Sequence, residues 1–242
     1  MKAIVGRKMG MTEVFAEDGT MYPVTVVEVL PNVVTEVKTL EKHGYVAVQV
    51  GYEEKRESRA NNCEKGIAKK ANTVPHQVSK ELRGDEMAAY KVGDTIDASL
   101  FQAGDVVDVI GTTKGHGYSG VIKRWNQKIG PKGHGSGYHR GQGSFANNGR
   151  YNHGVMPGKH MSGHYGNESA TLLNLTVIAS NAEKGYILIK GGLPGARKSI
   201  VTIRSAVKVV KTKPVVKTLI DRTPAPVAEE VKAEPAPEAT AE

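Results

Sequence analysis

Over the first 110 residues, short hydrophobic runs rich in β-branched side chains and bounded by polar turn signals recur at residues 2–5, 13–15, 22–30, 33–38, 45–52 and 106–110. β-branched side chains pack well on a pleated surface and turn residues bound each run, so each run predicts a strand. Asp18-Gly19 lies between two of them and supplies the positive φ of a tight hairpin, which makes those neighbours antiparallel. Many short strands without ten-residue helical patterns between them predict a closed barrel or sandwich rather than a doubly wound sheet. Residues 53–72 are charged and lose the periodicity, and 73–82 predict a short helix: Thr73 caps it, Pro75 suits its first turn and Gly84 ends it. Residues 53–92 are therefore expected to form a charged, partly helical insertion beside the sheet.

The strand signals stop at Gly111 and resume at 171–180, 186–190 and 199–204. Between them, residues 111–167 hold 15 of the 28 glycines and 6 of the 8 histidines, and no regular secondary structure is predicted there. The chain thus leaves a β domain, residues 1–110 with 168–208, and returns to it after an irregular extension. From 209 to 242 it turns Lys/Pro-rich and then Pro/Ala/Glu-rich, too poor in large apolar groups to offset ordering entropy, so a disordered tail is expected.

Charge sharpens this division. Lys and Arg outnumber Asp and Glu by 33 to 25. The tail, 221–242, carries six acids and two bases, so the net charge of +8 becomes +12 for the first 220 residues. The extension contains Lys114, Lys123, Arg124, Lys128, Lys132, Arg140, Arg150 and Lys159 and no acid at all. Tyr118, Trp125, Tyr138, Phe145, Tyr151 and Tyr165 are interleaved with them. Uncompensated cations repel one another, and planar groups need something to stack on. Folded RNA supplies both: phosphates for the cations, bases for the rings, and close approach where glycine leaves room. The competing reading is a flexible basic loop without a fixed partner.

Other chemistries lack their parts. Residues 115–120 read G-x-G-x-x-G, but a dinucleotide fold needs a helix behind the glycines and an acid about 20 residues on, and no acid occurs before Glu168. The pairs His160/His164 and His134/His139 have no cysteine or carboxylate nearby to complete a metal site. Cys63 is the only cysteine, in a mixed-charge run that reads as solvated surface. No nucleophile elbow, HExxH or paired acids in an apolar setting occur, and Glu13, Glu28 and Glu36 read as exposed strand positions. The expectation is a protein that is not an enzyme, takes no cofactor, metal or small-molecule substrate, and has no membrane segment: no stretch reaches the roughly 18 apolar residues of a span. A cytosolic or organellar-soluble location follows.

The opening KAIVGRKMGMTEVFAEDGTMYPVTVVEV, then GYVAVQVGY, VGDTIDASLFQAGDVVDVIGTTKGHGYSGVIKRWN, HGSGYHRGQGS, MPGKHMSGHYGN and LLNLTVIASNAEKGYILIKGGLPGARKSIVTIRSAVK resemble the large-subunit ribosomal protein L-three family. The resemblance spans residues 2 to about 208 and implies a translation-factor-like six-stranded barrel on the large subunit, with a long extension reaching toward the peptidyl transferase centre. It implies binding to large-subunit ribosomal RNA beside neighbouring large-subunit proteins, a role in early assembly, and a ribosome-bound, cytoplasmic location. Regulation through messenger RNA on the same surface is an alternative use of these residues.

Specific roles follow from residue chemistry and the resemblance together. Arg124, Arg140 and Arg150 suit bidentate phosphate or guanine contacts, and Lys114, Lys123, Lys128, Lys132 and Lys159 act as point charges. Trp125, Tyr138 and Tyr151 are candidates for stacking, although Trp125 could equally pack on the extension itself. His116, His134, His139, His160 and His164 are candidates for base or backbone contacts, as is Asn167. By resemblance, 114–125 and 159–167 grip RNA helices and 143–150 form the tip. Asn147 stands there where one bacterial group of the family carries a glutamine methylated on its side-chain amide. Arg7 and Lys8 are expected to touch RNA where the barrel docks.

Overall fold

A computed structural model describes residues 1–145, 155–208 and 214–220. In chain order the strands are β1 (Ala3–Phe15), β2 (Met21–Glu28), β3 (Asn32–Lys38), β4 (Ala47–Glu54), β5 (His76–Arg83), β6 (Thr95–Ile96), β7 (Val106–Thr112), β8 (Tyr118–Ser119), β9 (Gly163–His164), β10 (Ser169–Asn181), β11 (Tyr186–Lys190) and β12 (Ile200–Ser205). Short helices α1 (Leu40–His43), α2 (Asn62–Ala71) and α3 (Val121–Trp125) lie among them.

Six strands close an antiparallel barrel in the order β1-β12-β7-β10-β11-β2, the predicted fold. The two runs read at 2–5 and 13–15 are one 13-residue strand, β1, with a register shift between Lys8 and Gly10. The first part of β1 pairs with β12 and the rest continues along β2. Val5, Val27, Val107, Val109, Val177, Ile187, Ile189 and Ile203 are fully buried in the main apolar cluster.

The runs at 33–38 and 45–52 belong to a second sheet, β5-β4-β3-β6, rather than to the barrel. It shares the same core, contributing Val34, Val48, Val50, Tyr52, Leu82 and Ile96. Asn32, fully buried, fastens the two sheets where the chain passes between them. Its amide donates to the Val5 carbonyl at 3.0 Å and the Leu30 carbonyl at 2.9 Å, and its oxygen accepts from the Val5 N–H at 3.1 Å. Backbone groups removed from water are thereby satisfied, where an orphan would cost about 1–3 kcal/mol.

The helix expected at 73–82 is a strand. β5 pairs antiparallel with β4 from Glu54↔His76 to Ala47↔Arg83. Val78 and Leu82 face inward at even spacing, and the open edge of β4 requires partners for its N–H and C=O groups, which outweighs the capping pattern at Thr73. The helix lies earlier, α2 at Asn62–Ala71, in the stretch read as aperiodic. There the Glu64 carboxylate reaches back to the Asn61 N–H at 2.9 Å, and Ala68 and Ala71 are buried.

Part of the tail is also ordered. Pro214–Ile220 lies along the end of the β1–β2 hairpin, with the Ile220 N–H donating to the Phe15 carbonyl (2.9 Å) and the Glu17 N–H to the Thr218 carbonyl (3.1 Å). Val216 and Leu219 pack on a small cluster of Ala16, Tyr22, Val24 and Ile178. Backbone bonds, the Lys217–Asp18 ion pair and these apolar contacts together attach this short part of the tail to the hairpin. Residues 209–213 and 221–242 lie outside the described residues.

Candidate nucleic-acid interface

The extension leaves the barrel at the end of β7 and returns into β10, which are adjacent strands with Thr112 opposite Ser169. Its two limbs are zipped from the root. The Thr113 N–H donates to the Glu168 carbonyl (2.9 Å), the His116 N–H to the Tyr165 carbonyl (2.8 Å) and the Tyr165 N–H to the Gly117 carbonyl (3.0 Å). β8 and β9 then form a two-stranded ribbon. The expectation that secondary structure ceases at 111 is therefore corrected for the base of the arm, which folds on itself.

Planar side chains pair across the limbs. His116 stacks on Tyr165 with centroids 4.9 Å apart, Tyr118 meets His164 edge to face at 5.9 Å, and Trp125 lies on His160 at 4.0 Å with planes 2° apart. Such pairs are worth about 0.5–1.5 kcal/mol each beyond area burial. α3 carries the deepest of these ties. The Met161 carbonyl accepts both from Arg124 Nη1 (3.1 Å) and from Trp125 Nε1 (2.9 Å), and the Arg124 guanidinium lies 5.1 Å from the Trp125 ring centroid. Gly163 leaves room for this placement of the guanidinium, because a Cβ there would clash with Arg124 Nη1. Trp125 packs on the arm itself and remains 41% exposed.

Beyond α3 the outgoing limb folds back between Gly130 and His139, joined by a backbone bond of 2.9 Å, with the His139 ring nitrogen Nδ1 on the Pro131 carbonyl at 2.9 Å. Tyr138 lies against Gly141, and its hydroxyl accepts from the Gly143 N–H. His134 sits exposed in the intervening turn with φ of 56°. Gln142 Nε2 donates to Ser162 Oγ at 2.6 Å, and Lys159 Nζ to the Ser144 carbonyl at 3.0 Å, tying this part to the returning limb. Neither the Met161 carbonyl nor the Gln142–Ser162 bond had a sequence signal, since both depend on how the limbs meet. Asn167 closes the arm with φ of 56°, next to Gly166, which touches the Lys114 carbonyl. Asn147, Arg150 and Tyr151 lie outside the described residues.

The electrostatics are one-sided. Lys114, Lys123, Lys128, Lys132, Arg140 and Lys159 are exposed and Arg124 half-buried. Among the described residues, no ion pair engages any of these seven. Arg7 and Lys8 differ. Arg7 pairs with Glu53. Lys8 Nζ donates to the Leu193 and Gly195 carbonyls, and burial first, then the charge of Lys114, draws its pKa below the ordinary lysine value. Their donors are turned inward. No cluster of His, Cys, Asp and Glu that could hold a metal occurs among the described residues, and no helix there is long and apolar enough to cross a membrane.

The architecture defines a class: a small closed β-barrel with a second sheet on one flank and a cationic, acid-free arm on its rim. The family described as ribosomal protein L3 matches residues 77–185. The chain is 49% identical over 210 residues to large ribosomal subunit protein uL3 of Lactobacillus helveticus, covering 87% of this chain and 98% of that one. It is 50% identical over 207 residues to the uL3 of Ligilactobacillus salivarius, covering 86% and 99%. This chain belongs to the uL3 family.

Proposed function

We propose that the protein is a structural, non-enzymatic constituent of the large ribosomal subunit, bound to the ribosome in the cytoplasm among other large-subunit proteins. It binds large-subunit ribosomal RNA, threads its arm through that RNA toward the peptidyl transferase centre and supports early assembly of the subunit. The observation that carries this reading is the arm's charge: seven described cations, no acid between Asp108 and Glu168, and no internal ion pair to neutralise them. Phosphates are the counterions such a surface fits.

Within it, Arg124 is a pre-oriented fork, since Met161 holds one nitrogen and leaves the others for phosphate. Arg140 and Arg150 play the same part farther out, with Lys114, Lys123, Lys128, Lys132 and Lys159 adding less directional attraction. Tyr138 and Tyr151 supply faces or edges for bases, and His116, His134, His139, His160, His164, Trp125, Asn147 and Asn167 line the same path. Arg7 and Lys8 shape the docking face from inside.

In a cell extract resolved on a sucrose gradient, the tagged protein should sediment with the large subunit and stay there through a high-salt wash, because a threaded arm must be withdrawn and not merely screened. Recovery at the top of the gradient, free of ribosomal RNA, would remove this reading.

A further inference from the structure

The connection between β11 and β12, residues 191–199, plays no part in the arm, yet it is clamped by Lys8 of β1 on one side and by the arm's root on another. Lys8 Nζ donates to the carbonyls of Leu193 (2.7 Å) and Gly195 (3.0 Å). The backbone repeats the attachment, with the Lys198 N–H on the Lys8 carbonyl at 2.7 Å and the Lys8 N–H on the Ser199 carbonyl at 2.9 Å. Gly195 lies so near the arm's root that a Cβ there would come within 2.8 Å of the Thr112 carbonyl, and a Cβ on Gly111 would come within 2.9 Å of Pro194. The part of this loop left facing solvent includes Arg197 and Lys198, both exposed and without an ion pair among the described residues. Lys198 is held at φ of 65°, a left-handed conformation that lysine adopts only where its surroundings impose it. Lys114, the first cation of the arm, follows Thr112 by two residues, so it stands close to this loop. A solvated turn needs none of these attachments.

We propose that loop 191–199 is a second RNA-contacting element, in which Arg197 and Lys198 engage phosphates of the same ribosomal RNA that the arm enters, and Lys8 is a positioning residue that pins the loop to the arm's root. The inference rests on the RNA reading above and adds residues that neither composition nor motif singled out. Two charges beside a rim that already carries Lys114 extend one cationic surface, and a fixed loop loses less entropy on contact than a floppy one.

The test is a filter-binding titration of the full chain against a large-subunit ribosomal RNA transcript over a salt series. It compares wild type, Arg197→Gln, Lys198→Asn, their double, Lys8→Met and an arm control, Lys128→Gln/Lys132→Gln/Arg140→Gln. Asparagine is chosen because it tolerates the left-handed backbone. The double should weaken binding about tenfold or more at moderate salt and lower the slope of log affinity against log salt by about one to two. Lys8→Met should reproduce much of that loss yet add little when combined with the double, because a pin matters only through what it holds. If Lys8→Met melts early, the exposed pair decides alone. A double with wild-type affinity and slope, beside a weakened arm control, overturns the proposal and leaves the RNA reading standing. A wild type that binds without salt dependence overturns both.

Discussion

In the barrel, Ile4, Val5, Val107, Ile187, Ile189 and Ile203 are fully withdrawn from water, whereas in the arm only Ser119 and Val121 among the described residues are buried. The arm is nonetheless shaped, by ring pairs at three levels, a carbonyl that serves two donors and backbone bonds between its limbs. Burial at roughly 25 cal/mol per Å² makes the barrel hard to open. Exposed stacking and hydrogen bonds, each competing with water, give the arm a preferred form at small cost of opening. The barrel is held by its own buried core, whereas the arm is held in a preferred form by ties that leave its cations exposed.

The largest effect should come from separating the two. Lys114 and Gly166 touch, so removing residues 115–164 closes the chain over a short gap and leaves β7 and β10 in register. We expect a folded β protein whose affinity for ribosomal RNA at moderate salt falls by at least about a hundredfold, with a much shallower salt dependence. Undiminished binding would show that the barrel, not the arm, carries the interaction.

A matched pair of truncations sharpens the comparison. Ile203→Ala in the barrel should cost about 2–5 kcal/mol of unfolding free energy, as cavities in dry cores do. Trp125→Ala should change global stability by less than about 1 kcal/mol, yet speed hydrogen exchange at 118–125 and 160–165 and weaken RNA binding severalfold through lost pre-ordering. Equal losses of melting temperature in the two variants would mean that the arm is part of the cooperative core.

The same contrast explains what could be read from the sequence. Alternation with a buried face, as in β11 and the first part of β12, identifies barrel strands, because water sorts side chains at every second position. It could not say that β3 and β4 leave the barrel for a second sheet, since alternation specifies a face and not a partner. β5 was misread because Thr73 and Pro75 imitate a helix start, while the decisive term, the unpaired edge of β4, is 20 or more residues away in the chain. The cations of the arm were legible because a charge run without acids needs no geometry to be noticed. Its internal ties were not: the Trp125–His160 stack and the Arg124–Met161 bond span 35 and 37 residues of glycine-rich chain.

The strap at Pro214–Ile220 lies between these extremes, and the smallest prediction concerns it. It has two backbone bonds, two half-buried apolar side chains and one exposed ion pair, Lys217 with Asp18. The hydrogen bond from Lys217, followed by that from Thr20, holds the Asp18 carboxyl at about 2, below the usual carboxylate range. A depressed folded-state pKa stabilises the docked strap above the free carboxylate value near 4, and that contribution disappears as pH falls toward 2. Because the pair is solvent-exposed, its share is small and screened by salt. Asp18→Asn at neutral pH should therefore raise hydrogen exchange at 215–220 a few-fold while the barrel's melting temperature stays put, and added salt should have a similar but weaker effect on wild type. If exchange in the strap follows neither change, its backbone bonds and the packing of Val216 and Leu219 hold it without help from the ion pair, and the strap belongs with the barrel rather than between barrel and arm.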